Sequence, residues 1–116
     1  MEILKRHLKS MKNRSGFVED ILNSIIQEFL DNVCKELGKY NKDIGYFNYC
    51  RGQKEVLQKM KKIVNENEDN YIKLFEELKE QYLLLADTNK DNTDFYVGGA
   101  NVVGYIIREY NKKVGV

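Results

Sequence analysis

A chain of 116 residues with 19 lysines and arginines against 18 aspartates and glutamates is nearly neutral, at +1. That balance excludes the overall basic field of a typical nucleic-acid binder and offers little electrostatic resistance to self-association. Proline is absent, which favours long uninterrupted helices over a turn-rich sheet protein.

The expected architecture is a single all-α domain over 1–116, an antiparallel bundle of four main helices preceded by a short basic one. Residues 2–13 carry Ile3, Leu4, Leu8 and Met11 among Lys5, Arg6, Lys9 and Lys12, the pattern of a short amphipathic helix. Asn13-Arg-Ser-Gly16 predicts a break, with Ser15 placed to cap the next helix. From 17 to 37 apolar doublets recur every fourth residue, Phe17-Val18, Ile21-Leu22, Ile25-Ile26, Phe29-Leu30 and Val33-Cys34. This makes a wide apolar stripe on one side of a helix, wide enough to contact two neighbours. The 17–37 helix is therefore expected at the centre of the bundle. Gly38 is its expected stop, with a polar loop after it. Further helices are predicted over 43–64, 70–86 and 94–113, separated by the polar stretches 65–70 and 87–92, with Lys112 and Lys113 suiting the dipole of the last C-terminus.

Few residues suggest chemistry. Asp87, Asn89 and Asp91 occupy the first three ligand positions of a calcium loop, but Asn92 stands where glycine should turn the chain. Gly98 stands where a bidentate glutamate is needed. His7, the one histidine, lies among Lys5, Arg6 and Lys9 with no orienting carboxylate. Cys34, on the apolar stripe, and Cys50 are expected as small core residues; they form no disulfide framework or metal-ligand spacing. No catalytic, metal or cofactor site is expected, and the chain is expected not to be an enzyme. No apolar run approaches the length of a membrane span and no signal-like segment opens the chain, so a reduced, cytoplasmic compartment with no membrane role is expected.

Two segments share a device, Tyr49-x-x-Gly52 and Tyr96-x-x-Gly99, each leading into helix-compatible residues. An interior helical glycine costs about 1 kcal/mol relative to alanine. Two at equivalent places imply a backbone surface that something approaches closely, and an internal duplication is one origin. Gly98, Gly99, Ala100 and Gly104 form a strip of small residues beside Tyr96, Tyr105 and Tyr110. That strip packs either on the 43–64 helix of the same chain or on a partner, a second copy included. Tyr96, Gly99, Tyr105 and Arg108, with Arg51 and Lys54 on the basic 43–64 helix, are the candidate partner-binding residues. Lys5, Arg6, Lys9, Lys12 and Arg14 form an alternative, a basic cluster able to meet phosphate backbone.

The stretch Tyr46-Phe-x-Tyr-x-Arg51-Gly52-Gln53-x-x-x-Leu57 resembles a pattern in small helical proteins of bacteriophages and prophages, as do the length and the lysine-, asparagine- and isoleucine-rich composition. The resemblance implies an accessory or virion protein, or an inhibitor of a host defence or regulatory protein, and a location in the host cytoplasm. The expected function is therefore a non-enzymatic helical module that binds a protein partner. The alternatives are a nucleic-acid-binding regulator and an oligomeric virion component.

Overall fold

Apolar positions recurring once per turn become helices throughout this chain. The computed structural model describes the backbone of residues 2–39, 43–67 and 69–115, and side chains in those stretches from residue 16 onward. It contains four α-helices in order: α1 (Glu2–Lys39), α2 (Ile44–Glu66), α3 (Tyr71–Thr88) and α4 (Thr93–Val114). A single 3-10 turn, Lys90–Asn92, leads into the last of them. The described residues form an all-α fold with no strand. None of these helices is long and apolar enough to cross a membrane. Asp43 caps α2 by accepting a 3.1 Å hydrogen bond from the Tyr46 N–H. Gly115, at φ 77°, closes α4 by donating its N–H to the carbonyls of Asn111 and Lys112.

The first helix departs from expectation. Instead of a short basic helix over 2–13 and a second over 17–37, α1 is one helix of 38 residues. Gly16 lies inside it with open space where a side chain would stand. One glycine costs about 1 kcal/mol, which the helix formers on both sides offset; a break needs the lost N–H and ring clash of proline. Ser15 is therefore an interior residue, and Gly38 also lies within the helix. At 1.5 Å per residue α1 is about 57 Å long, which accounts for the 61 Å long dimension of the chain. Asn23 already pairs with Asn65 near the end of α2, so the earlier turns of α1 outrun α2. Nearer the bundle, Gln27 meets Lys61 and Glu36 meets Tyr46. Numbers rise on α1 as they fall on α2.

Cys34 is a second departure, since it is exposed while Cys50 is buried. The doublet pattern explains this. Four residues advance a helix by about 400°, so each doublet sits about 40° further round than the last. Over five doublets the apolar face rotates until its two ends leave the core. Phe17, 63% exposed, falls off one edge and Cys34 off the other, while Leu22, Ile25 and Ile26 in the middle are fully enclosed.

The core is a single cluster drawn from all four helices, and α4 rather than α1 stands at its centre. α4 packs on α1, α2 and α3, whereas α2 and α3 barely meet. Small residues make this possible. A Cβ on Gly52 of α2 would collide with the carbonyl oxygen of Phe95, and a Cβ on Gly98 of α4 with that of Tyr49. The two backbones therefore lie against each other through reciprocal notches. The motif in register with Tyr49-x-x-Gly52 is thus Phe95-x-x-Gly98, one residue earlier than the tyrosine match implies. Gly99 faces a different way, and its added Cβ would lie 2.6 Å from both the Tyr82 ring and Val56. Val102, Val103 and Ile106 continue the buried face of α4.

Gly52→Ala and Gly16→Ala should have opposite signs. The first forces α2 off α4 and is expected to cost about 1–3 kcal/mol or more. The second relieves backbone entropy in open space and is expected to add up to about 1 kcal/mol. Urea unfolding monitored by circular dichroism measures both.

Candidate interaction surface

The six partner-binding candidates separate into three places. Gly99 is buried and wholly covered by Tyr82 and Val56 of the same chain. Its role as a contact for a partner is therefore corrected: intramolecular packing uses that face. Tyr96 is half-buried and turned onto other rings, edge-to-face on Tyr82 at 5.8 Å and on Phe95 at 5.4 Å. Tyr105 and Arg108 lie on one exposed surface. Arg51 and Lys54 lie on the outward face of α2, where they line a shallow depression of about 450 Å³ with Phe47, Gln58, Phe95 and Leu37. The Arg51 guanidinium stands 5.9 Å from the centre of the Phe95 ring.

The surface around Tyr105 is built by α2 and α4 together. Tyr46 and Tyr49, one turn apart on α2, stack at 6.4 Å with an interplanar angle of 14°. The Tyr46 hydroxyl donates to Glu36 on α1 at 3.0 Å. Asn101 on α4 donates its amide to the Tyr49 hydroxyl at 3.1 Å, and Tyr105 on the same helix lies close enough to act electrostatically on that hydroxyl. Arg108, on the next turn of α4, stands 5.9 Å from the centre of the Tyr105 ring. Tyr46 and Tyr105 are each 39% exposed, and Ile44 beside them is 74% exposed. The rings are thus held by neighbours on three helices while keeping a face open. Sequence reasoning reached Tyr105 and Arg108 but missed Tyr46, Tyr49 and Asn101 as one surface. The usable signals were the Tyr46–Tyr49 spacing of one turn on α2 and the Asn101–Tyr105 step of four on α4.

Burial raises the Cys50 thiol above its ordinary range, which disfavours the reactive thiolate. Tyr46 holds its proton well above the ordinary tyrosine value, through loss of hydration and then its bond to Glu36. Tyr49 and Tyr82 shift the same way, burial being the largest cause for each. Tyr82 anchors the one polar junction of α2 with α3 among the described residues. Lys59 donates to the Tyr82 hydroxyl at 2.6 Å, that hydroxyl donates to Glu55 at 2.5 Å, and Lys59 stands 3.3 Å from Glu55.

Other expected groups fall elsewhere. Asn89 caps α3, its amide donating to the Leu85 carbonyl at 3.1 Å, and Asp91 lies in the 3-10 turn. No group of three or more acidic, histidine or cysteine side chains able to hold a metal occurs among the described residues. The side chains of His7, Lys5, Arg6, Lys9, Lys12 and Arg14 lie outside the described residues, although their backbone belongs to α1. Comparisons with protein families, curated proteins and solved structures found no match to this chain.

Alkaline pH should destabilise the fold. Above the ordinary tyrosine value of 10.0 the unfolded chain releases these protons while the folded chain keeps those of Tyr46, Tyr49 and Tyr82. Stability from these groups is therefore complete below that value and lost as pH rises beyond it. Melting temperatures measured from about pH 8 to about pH 11 should fall through the upper part of that range, with tyrosinate absorbance appearing together with unfolding.

Proposed function

We propose that this chain is a non-enzymatic helical interaction module, an antiparallel bundle that docks a partner protein on the surface formed by Tyr46, Tyr49, Tyr105 and Arg108. The observation that carries this reading is the state of those side chains. Tyrosine and arginine dominate the energetic centres of protein interfaces because they offer large contact area with a polar tip. Here the rings are already immobilised by stacking and hydrogen bonds, so docking costs little further side-chain entropy. The reciprocal glycine contact supports the reading, since it fixes the two helices that present the surface. The phage-like stretch around Tyr46–Leu57 extends the proposal to an accessory protein of a phage or mobile element, one that inhibits a host protein in the cytoplasm.

A second reading draws on the length of α1. Its first turns outrun α2 and carry Lys5, Arg6, Lys9, Lys12 and Arg14, a sequence suited to nucleic-acid phosphates.

The double variant Tyr105→Ala/Arg108→Glu separates the two. It is expected to keep the wild-type circular dichroism spectrum while losing proteins that the wild-type chain retains from host lysate, by roughly tenfold or more. Unchanged retention would reject the docking surface. Salt-sensitive binding of labelled duplex DNA or RNA, abolished by Lys5→Glu/Arg6→Glu/Lys9→Glu, would favour the second reading.

A further inference from the structure

The outward faces of α2 and α3 carry opposite charges at the same spacing. On α2, Arg51, Lys54, Gln58 and Lys61 succeed one another at steps of three, four and three residues, with Lys62 beside them. On α3, Glu77, Glu80, Leu84 and Asp87 run at the same steps, with Glu76 beside them. Each set forms one ridge along its helix. All four residues of the acidic ridge are exposed, as are Arg51, Gln58 and Lys61, while Lys54 is half-exposed. The ion pairs among the described residues are Lys59–Glu55 and Lys112–Glu109, and neither involves a ridge residue. Lys61 does reach the Gln27 side chain of α1, a contact that leaves its charge in place.

Apolar groups accompany both ridges. Leu84 is 65% exposed and Leu83 45% exposed, which puts apolar area within the acidic ridge. Arg51, Lys54 and Gln58 line the depression whose apolar part is Phe47, Phe95 and Leu37. Its one carboxylate, Glu55, is already held by Lys59. A leucine with Glu80 one turn before it and Asp87 one turn after it matches a shallow apolar depression edged by cations.

We propose that the acidic α3 ridge of one copy docks antiparallel on the basic α2 ridge of a second copy of this chain, with Asp87 facing Arg51, Glu77 facing Lys61 and Leu84 seated beside Lys54 in the Phe47–Phe95 depression. The fit is carried by charge complementarity and equal residue spacing, and the chain's net charge of +1 leaves no general repulsion to oppose it. The pairing closes a two-fold dimer where both ridges of each copy meet at once, and otherwise repeats as an open string or a closed ring. One helix laid along another buries less surface than a standard interface, so association is weak and concentration-dependent. The contact uses neither Tyr105 nor Arg108 and is independent of the proposed docking surface.

Sedimentation velocity over a range of protein concentration tests it with charge-reversed chains. Arg51→Glu/Lys61→Glu and Glu77→Lys/Asp87→Lys should each weaken self-association by roughly tenfold or more. The fourfold variant combining them restores complementarity at unchanged net charge and should associate like wild type. Lys112→Glu/Lys113→Glu, which changes net charge equally but leaves both ridges intact, should associate more strongly than Arg51→Glu/Lys61→Glu. Leu84→Ser weakens association without altering charge. A wild-type chain that stays monomeric at millimolar concentration, or a fourfold variant that stays dissociated while folded by circular dichroism, overturns the proposal. So does association that Leu84→Ser and both reversals leave unchanged.

Discussion

Two helix backbones in direct contact set the terms for the rest of this molecule. Gly52 and Gly98 each remove the one carbon that would hold α2 and α4 apart, and each faces the carbonyl of an aromatic residue on the other helix. Close approach turns α4 into a shared wall. Its other small residue, Gly99, admits the Tyr82 ring from α3 and the Val56 side chain from α2, so one helix serves two neighbours. α2 and α3 then need little contact of their own, and the Lys59–Tyr82–Glu55 junction suffices between them.

The same contact decides which tyrosines face outward. With Gly98 against Tyr49, the α4 surface beyond it brings Asn101 and Tyr105 alongside Tyr49. Tyr96, on the other side of the notch, turns inward onto Tyr82 and Phe95. The resulting surface is fixed by the interior, and its rings keep their orientation without a ligand. On the outer flanks of α2 and α3 the situation is reversed: among the described residues, the ridge charges have no opposite charge within salt-bridge distance.

Periodicity read from sequence reached the helices and most of their ends to within a few residues, because each apolar face needs a turn-by-turn repeat. It also recognised Gly52 and its partner segment as a site of close packing, since a helical glycine costs stability that packing must offset. What escaped it depended on phase and on the third dimension. A doublet repeated every four residues looks like one stripe but winds round the helix, so Cys34 read as core and is exposed. Asn13–Gly16 looked like a break because local propensity was weighed without the continuation on either side. Gly99 read as a contact for a partner because one-dimensional spacing gives a face but not the chain that covers it. The wide stripe of α1 did predict two neighbours, yet centrality belonged to α4, whose glycines let neighbours come nearer.

Centrality of α4 has a bearing on how the chain acquires its fold. The helix that holds the others together is also made after them. While the ribosome has produced only α1 to α3, α2 lacks its main packing partner and α3 has almost none. α1 and α2 can pair as they emerge, but the interior they share with α3 stays open to water until α4 follows and fills it.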